Sequence, residues 1–143
     1  NPPVIRRHRI EQPSLEAFDE QLDINLRAPF LLTRALLTPM RRAGRGRIIN
    51  IGSISSTLGT AGAAAYCASK WGLVGFTKSL AEELTDSGLS TVVILPGSVD
   101  TRMLEGSGFS PRMTPEQVAQ TVVYHALDAP LCHNGGIVEM FGT

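Results

Sequence analysis

Tyr66 and Lys70 stand four residues apart in a stretch of small and apolar residues, so on a helix both side chains leave one face about a turn apart. Taken alone, the pair reads as an interfacial tyrosine beside a lysine whose stem snorkels toward water. Two further segments change that reading. Ser53 follows directly on a β-branched apolar run, at the carboxyl end of what reads as a parallel strand, where open α/β sheets place their ligands. Pro96-Gly97-Ser98-Val99-Asp100-Thr101 ends a second such run in a sharp turn, which delivers backbone groups and the Thr101 hydroxyl to the same edge. The chemistry this crevice could run is proton transfer to or from an oxygen. A phenol with a pKa near 10 is a poor acid or base at neutral pH, but an ammonium about 4 Å away contributes roughly 4 kcal/mol at an effective dielectric of 20. That is about three pKa units before desolvation opposes it. Lys70 is therefore expected to make Tyr66 usable, while the Ser53 hydroxyl orients the reacting oxygen and stabilises its charge.

The elements that must position these groups are legible in the hydrophobic pattern. Pro13 and Ser14 mark a helix entry, and Leu15, Phe18, Leu22, Leu26 and Phe30 recur at steps of three or four, with the pattern running on through Met40 until Gly44 and Gly46. Pro29 has no N–H to offer the Asn25 carbonyl four residues earlier, so this helix is expected to depart from regularity near Asn25. Arg47 to Ile51 reads as a buried strand, 52–62 as a Gly/Ser/Thr-rich loop, and Ala63 to Leu84 as a buried helix that packs closely through its small residues. Ser90 to Leu95 is a second buried strand. Thr114-Pro115-Glu116-Gln117 carries a capping-box pattern that opens a helix reaching about Leu127, and Gly136 to Met140 is a third strand. Alternation of helix and strand, with strands apolar on both faces, predicts a parallel sheet with right-handed crossovers. Three strands are few for such a layout, and the edge of the first is expected to be bare and apolar.

With these elements in place the residues resemble a known family, the short-chain dehydrogenase/reductases in their classical branch. The resemblance runs from Ser14 to about Gly142. It rests on Asp23-Ile24-Asn25-Leu26, on Gly46-Arg47-Ile48-Ile49-Asn50-Ile51-Gly52-Ser53, on Tyr66-Cys67-Ala68-Ser69-Lys70 as the YxxxK motif, and on the turn at Pro96-Gly97. YxxxK alone is weak; the tetrad Asn25, Ser53, Tyr66, Lys70 at gaps of 28, 13 and 4 is specific. The resemblance implies a three-layer Rossmann-type α/β sandwich, truncated to about three strands and three main helices in a single domain over residues 1–143. It implies hydride transfer between NAD or NADP and a small-molecule secondary alcohol or ketone. Tyr66 would be the general acid/base, and Lys70 its pKa modifier and ribose partner. Ser53 would bind the carbonyl, and Asn25 would hold a water in a proton relay. Pro96, Gly97, Val99 and Thr101 would contact the cofactor. The two helices over 14–43 and 63–84 would join subunits in a homo-oligomer. The family's Gly-rich loop has no counterpart in these residues, so they read as its C-terminal part. By themselves they are expected to hold a dinucleotide poorly, and a cofactor-less remnant serving as an oligomeric scaffold is the alternative.

Composition narrows the field further. In 143 residues, 13 Lys and Arg balance 13 Asp and Glu, with no basic stripe for nucleic acid, and no apolar run reaches the roughly 18 residues of a membrane span. Cys67 and Cys132 lack metal-site spacing and fit a reducing, cytoplasmic setting. His8, His125 and His133 are isolated in sequence and are expected on the surface or on a helix face. Cys67 reads as a packed thiol, Trp71 as core or subunit contact, and 103–113 as a substrate loop.

Overall fold

The computed structural model describes residues 9–142. The helical pattern after Ser14 becomes α1 (Leu15–Leu22), one π-turn (Asp23–Arg27) and α2 (Ala28–Ala43), with the Ser14 hydroxyl accepting from the Ala17 N–H at the start. Irregularity falls where Pro29 predicts it. The Ala28 N–H bonds the Asp23 carbonyl five residues back, and the register slips by one residue around Asn25. The wider turn meets α3 (Ala64–Glu83) closely: a Cβ on Gly72 would stand 2.9 Å from the Leu26 Cδ2.

β1 (Gly46–Ile51), β2 (Leu89–Pro96) and β3 (Gly136–Met140) pair in parallel in the order β1-β2-β3, with Ile51 opposite Ile94 and Leu95 opposite Glu139. Every residue of β2 is buried, so both faces of the sheet are covered. Side chains of β1 alternate accordingly. Ile48 joins the Leu80, Leu84 and Leu89 cluster, and Asn50 donates to the Thr77 hydroxyl at 2.9 Å, both toward α3. Arg47 turns the other way and donates to the His125 carbonyl of α4 (Pro115–Leu127) at 3.2 Å. The capping box predicted at Thr114 and Gln117 is formed.

β1 is an edge strand. Beside it Ile24, Leu32, Leu36 and Met40 line a groove along its unpaired side, the bare apolar edge that three strands require. At the opposite end of α3, Gly44 caps α2 in the left-handed region (φ 63°). Gly88 (φ 73°) lies so close that a Cβ there would run into the Gly44 carbonyl oxygen. The expectation for His8 lies outside the described residues. Trp71 is half exposed (52%), which removes its core alternative, and among the described residues no helix is long and apolar enough to cross a membrane.

Candidate active site

Three segments meet at the carboxyl edge of β1 and β2, as the motifs require. Gly52 leaves β1, and Ser53 caps a short 3₁₀ turn (Ile54–Ser56). Its hydroxyl accepts the Ser55 N–H at 3.2 Å, and the Ser56 hydroxyl accepts the Ser53 N–H at 3.3 Å. This reciprocal cap consumes acceptor capacity on Ser53 and leaves its own O–H to orient a second oxygen. Tyr66 lies in the first turn of α3, whose helix dipole favours negative charge there. The Pro96-Gly97 turn is held from two sides: the Gly97 N–H bonds the Met140 carbonyl at 2.8 Å, and the Asp100 N–H bonds the Met113 carbonyl at 2.9 Å. Gly97 also stands where a Cβ would come within 3.2 Å of the Met140 oxygen.

Asn25, Ser53, Tyr66, Lys70, Pro96, Gly97, Val99 and Thr101 all line one cavity of about 360 Å³. The expected electrostatics differ in one respect. Lys70 sits over the Tyr66 ring and is also bound to the backbone. Its Nζ stands 5.8 Å from the Tyr66 ring centroid and donates to the Ile51 carbonyl at 3.0 Å, tied to the last residue of β1 and, among the described residues, to no carboxylate. Burial pushes the Tyr66 phenol up, its interaction with Ser53 pulls it down by less, and the Cys67 thiol beside it adds a smaller upward push. Burial also lowers the Lys70 ammonium to about 8. The anticipated downward shift of Tyr66 by Lys70 is therefore overturned in this structure. Desolvation is the dominant influence on each group.

Sequence reasoning missed Ser69. It is fully buried, its hydroxyl donates to the Tyr66 carbonyl at 2.8 Å and accepts from the Asn25 side-chain amide at 3.1 Å, so it ties the π-turn to the helix that carries Tyr66 and Lys70. Its place inside the YxxxK motif, three residues after the tyrosine, is the signal that could have found it. Cys67 points away from this chain of bonds, its Sγ 3.9 Å from the Leu58 carbonyl. His125 lies on a helix face, one of its two expected places, and that face is the inward one. It is buried at 7% exposure, with its ring centroid 5.6 Å from that of His133, because α4 turns it onto the sheet beside Arg47. The segment expected as a substrate loop begins in a 3₁₀ turn (Arg102–Leu104) and ends at Met113, which is buried at 5%.

The cavity's donor set suits the nicotinamide and ribose portion of a dinucleotide. Ile51, Pro96 and Val99 offer apolar surface for a ring, while Lys70, Tyr66 and Thr101 offer an ammonium and hydroxyls for sugar oxygens. Among the described residues no Gly-rich turn opens a helix for the pyrophosphate.

A parallel α/β sandwich with hydroxyl, phenol and amine gathered at the carboxyl edge of its strands defines a Rossmann-type protein. The sequence profile described as short chain dehydrogenase matches residues 2–109, and the chain belongs to that family. A 3-oxoacyl-[acyl-carrier-protein] reductase of Rickettsia felis is 36% identical over 139 residues, covering 89% of this chain and 58% of the reductase. The Escherichia coli (strain K12) reductase of the same name is 37% identical over 103 residues, 72% of this chain and 42% of its own length. Among solved structures, a Beutenbergia cavernae protein assigned as an NAD(P)-dependent gluconate 5-dehydrogenase, with NADP at low occupancy, superposes with a TM-score of 0.87 at 32% identity. It covers 95% of this chain and 60% of that one. An Agrobacterium tumefaciens protein assigned as a gluconate dehydrogenase gives 0.89 at 26% identity, covering 97% and 60%. The chain thus spans about three-fifths of the length of these proteins at most.

Proposed function

We propose that the protein catalyses reversible hydride transfer between a nicotinamide dinucleotide and a secondary alcohol or ketone, with Tyr66, Lys70, Ser53 and Asn25 as its catalytic set. The observation that carries this is the meeting of the Ser53 hydroxyl and the Tyr66 phenol in one crevice, with Lys70 anchored on Ile51 beside them. When bound, the dinucleotide supplies the hydride to the carbonyl carbon or accepts it from the alcohol. The chain's own residues manage the oxygen. Ser53 donates a hydrogen bond to the carbonyl oxygen, and Tyr66 delivers its phenolic proton to that oxygen as charge develops. Burial raises the phenol, so it is protonated at neutral pH but a weaker acid than a free one, and the transfer depends on the Lys70 charge beside it. Lys70, charged below about pH 8, stabilises the phenolate left behind, and Asn25, held by Ser69, sets the π-turn beside it.

The reductases among the relatives favour this reading over a cofactor-less scaffold. The same proposal includes NAD or NADP as cofactor and a homo-oligomer joined through α2 and α3, where Phe30, Leu31 and Trp71 are exposed. It also places the protein in the cytoplasm, consistent with free Cys67 and Cys132. Replacing Tyr66 by Phe in the complete gene product is expected to lower kcat/KM by about 10²–10⁴ while leaving the melting temperature nearly unchanged. Steady-state kinetics and a thermal melt on the same preparation check this, and retained turnover removes Tyr66 from its role.

A further inference from the structure

The crevice has two chemically different walls. One carries Ser53, Tyr66 and Lys70. The other comes from the 3₁₀ turn after the Pro96-Gly97 turn and from the first turns of α4, and presents Met103, Leu104, Pro115 and Val118 to the same cavity. Charged residues are adjacent in sequence to each part of this wall, yet Arg102, Glu105, Arg112 and Glu116 are all exposed and none lines the cavity. Among the described residues Lys70 is the one charged side chain in the lining, and its ammonium is already bound to the Ile51 carbonyl.

We propose that the carbonyl substrate carries an apolar arm seated against Met103, Leu104 and Val118, and that carboxylated or polyhydroxylated carbonyl compounds are rejected at this wall. The inference rests on the hydride-transfer reading and adds the substrate class to it. A carboxylate placed here would shed water with no cation offered in exchange, and each hydroxyl would lose hydrogen bonds that thioether and alkyl groups cannot replace. An alkyl arm instead gains about fourfold in kcat/KM for each methylene it buries, until the wall is covered. The relatives include proteins named for an acyl thioester and proteins assigned to a sugar acid, so this wall separates two chemistries found within the family.

The test uses the complete gene product, with 2-butanone, 2-hexanone, 2-octanone and 5-ketogluconate as substrates, each with NADH and NADPH. Calorimetric titration with 2-octanol and gluconate gives a readout independent of turnover. The expected result is kcat/KM rising along the ketone series, 5-ketogluconate at least about 100-fold below 2-octanone, and 2-octanol binding with a negative heat-capacity change while gluconate shows no saturable binding. Leu104→Arg, confirmed folded by its melt, should narrow the ratio between 2-octanone and 5-ketogluconate by about tenfold or more. A flat ketone series, or 5-ketogluconate equal to 2-octanone, overturns the inference and leaves the hydride-transfer reading standing. Failure to reduce any carbonyl with either dinucleotide overturns that reading and this one with it.

Discussion

The two ends of α3 do opposite work. Its last turns place Leu80 and Ala81 in the core, with Leu84 just beyond the helix, against Leu89 of β2 and Ile48 of β1, where almost no surface remains open. Its first turns place Tyr66 and Lys70 in a crevice where burial acts against charge, pushing the phenol up and the amine down to about 8. One end lowers the free energy of the fold by burying apolar surface; the other gives some of it back to hold titratable groups partly out of water. The strands and helices are parallel and antiparallel respectively, so this division extends across the molecule: α4 also brings its first turns, with Val118, to the crevice, and its last turn, with His125, to the far end.

The comparison can be broken first at the core end. Leu84→Ala should cost about 2–5 kcal/mol of unfolding free energy, read from urea denaturation, because Leu84 is 1% exposed and sits in the cluster with Leu80 and Leu89. Activity of the fraction that remains folded should be unchanged. A cost below about 1 kcal/mol would show that this end is less tightly packed than its burial implies.

At the crevice end the effect should have the other sign. Lys70→Met is expected to abolish turnover yet raise the melting temperature by a few degrees at pH 7. The folded amine titrates at about 8 and the unfolded one at 10.5, so below pH 8 both states are protonated and the whole burial penalty is present. As pH rises from about 8 to 10.5 the unfolded chain holds more protons, wild-type stability climbs, and the advantage of the variant should vanish. Melts at pH 7 and pH 10 decide it. A variant less stable than wild type at pH 7 would mean that the bond to Ile51 outweighs the desolvation.

The smallest effect belongs to His125, a buried titratable group at the far end with no chemistry to perform. Burial lowers its pKa, the neighbouring His133 lowers it further, and Arg47 adds to that. The folded state therefore prefers neutral imidazole, and stability should fall as pH drops below 6.5, where the unfolded chain takes up the proton first. His125→Gln should flatten the melting temperature between pH 7 and pH 5 by a degree or two. An unchanged slope would place the acid sensitivity elsewhere.

Much of this was readable beforehand where local signals agree. The capping box at Thr114 and Gln117, the β-branched runs that became β1 and β2, and Pro29 beside the π-turn each depend on neighbours within a few residues. The spacing of Ser53, Tyr66 and Lys70 was legible because strand and helix periods are fixed by backbone geometry, so residue types at set intervals land on set faces. Ser69 was overlooked because its two partners lie on different elements, one of them 44 residues away. For His125 the helix face was legible but not its direction, because isolation in sequence says nothing of which face α4 turns to the sheet.

By itself, then, the order of residues determined the elements, their parallel pairing and which phenol, amine and hydroxyl meet at one edge, since these follow from hydrogen-bond geometry and hydrophobic period over short spans. Only the tertiary structure decided the balance of charges inside the crevice. Where the Lys70 ammonium is anchored, and how much water it and Tyr66 lose, depends on distances between elements far apart in the chain. Burial acts against charge at both groups, and how strongly it does so is set by how closely those elements approach one another.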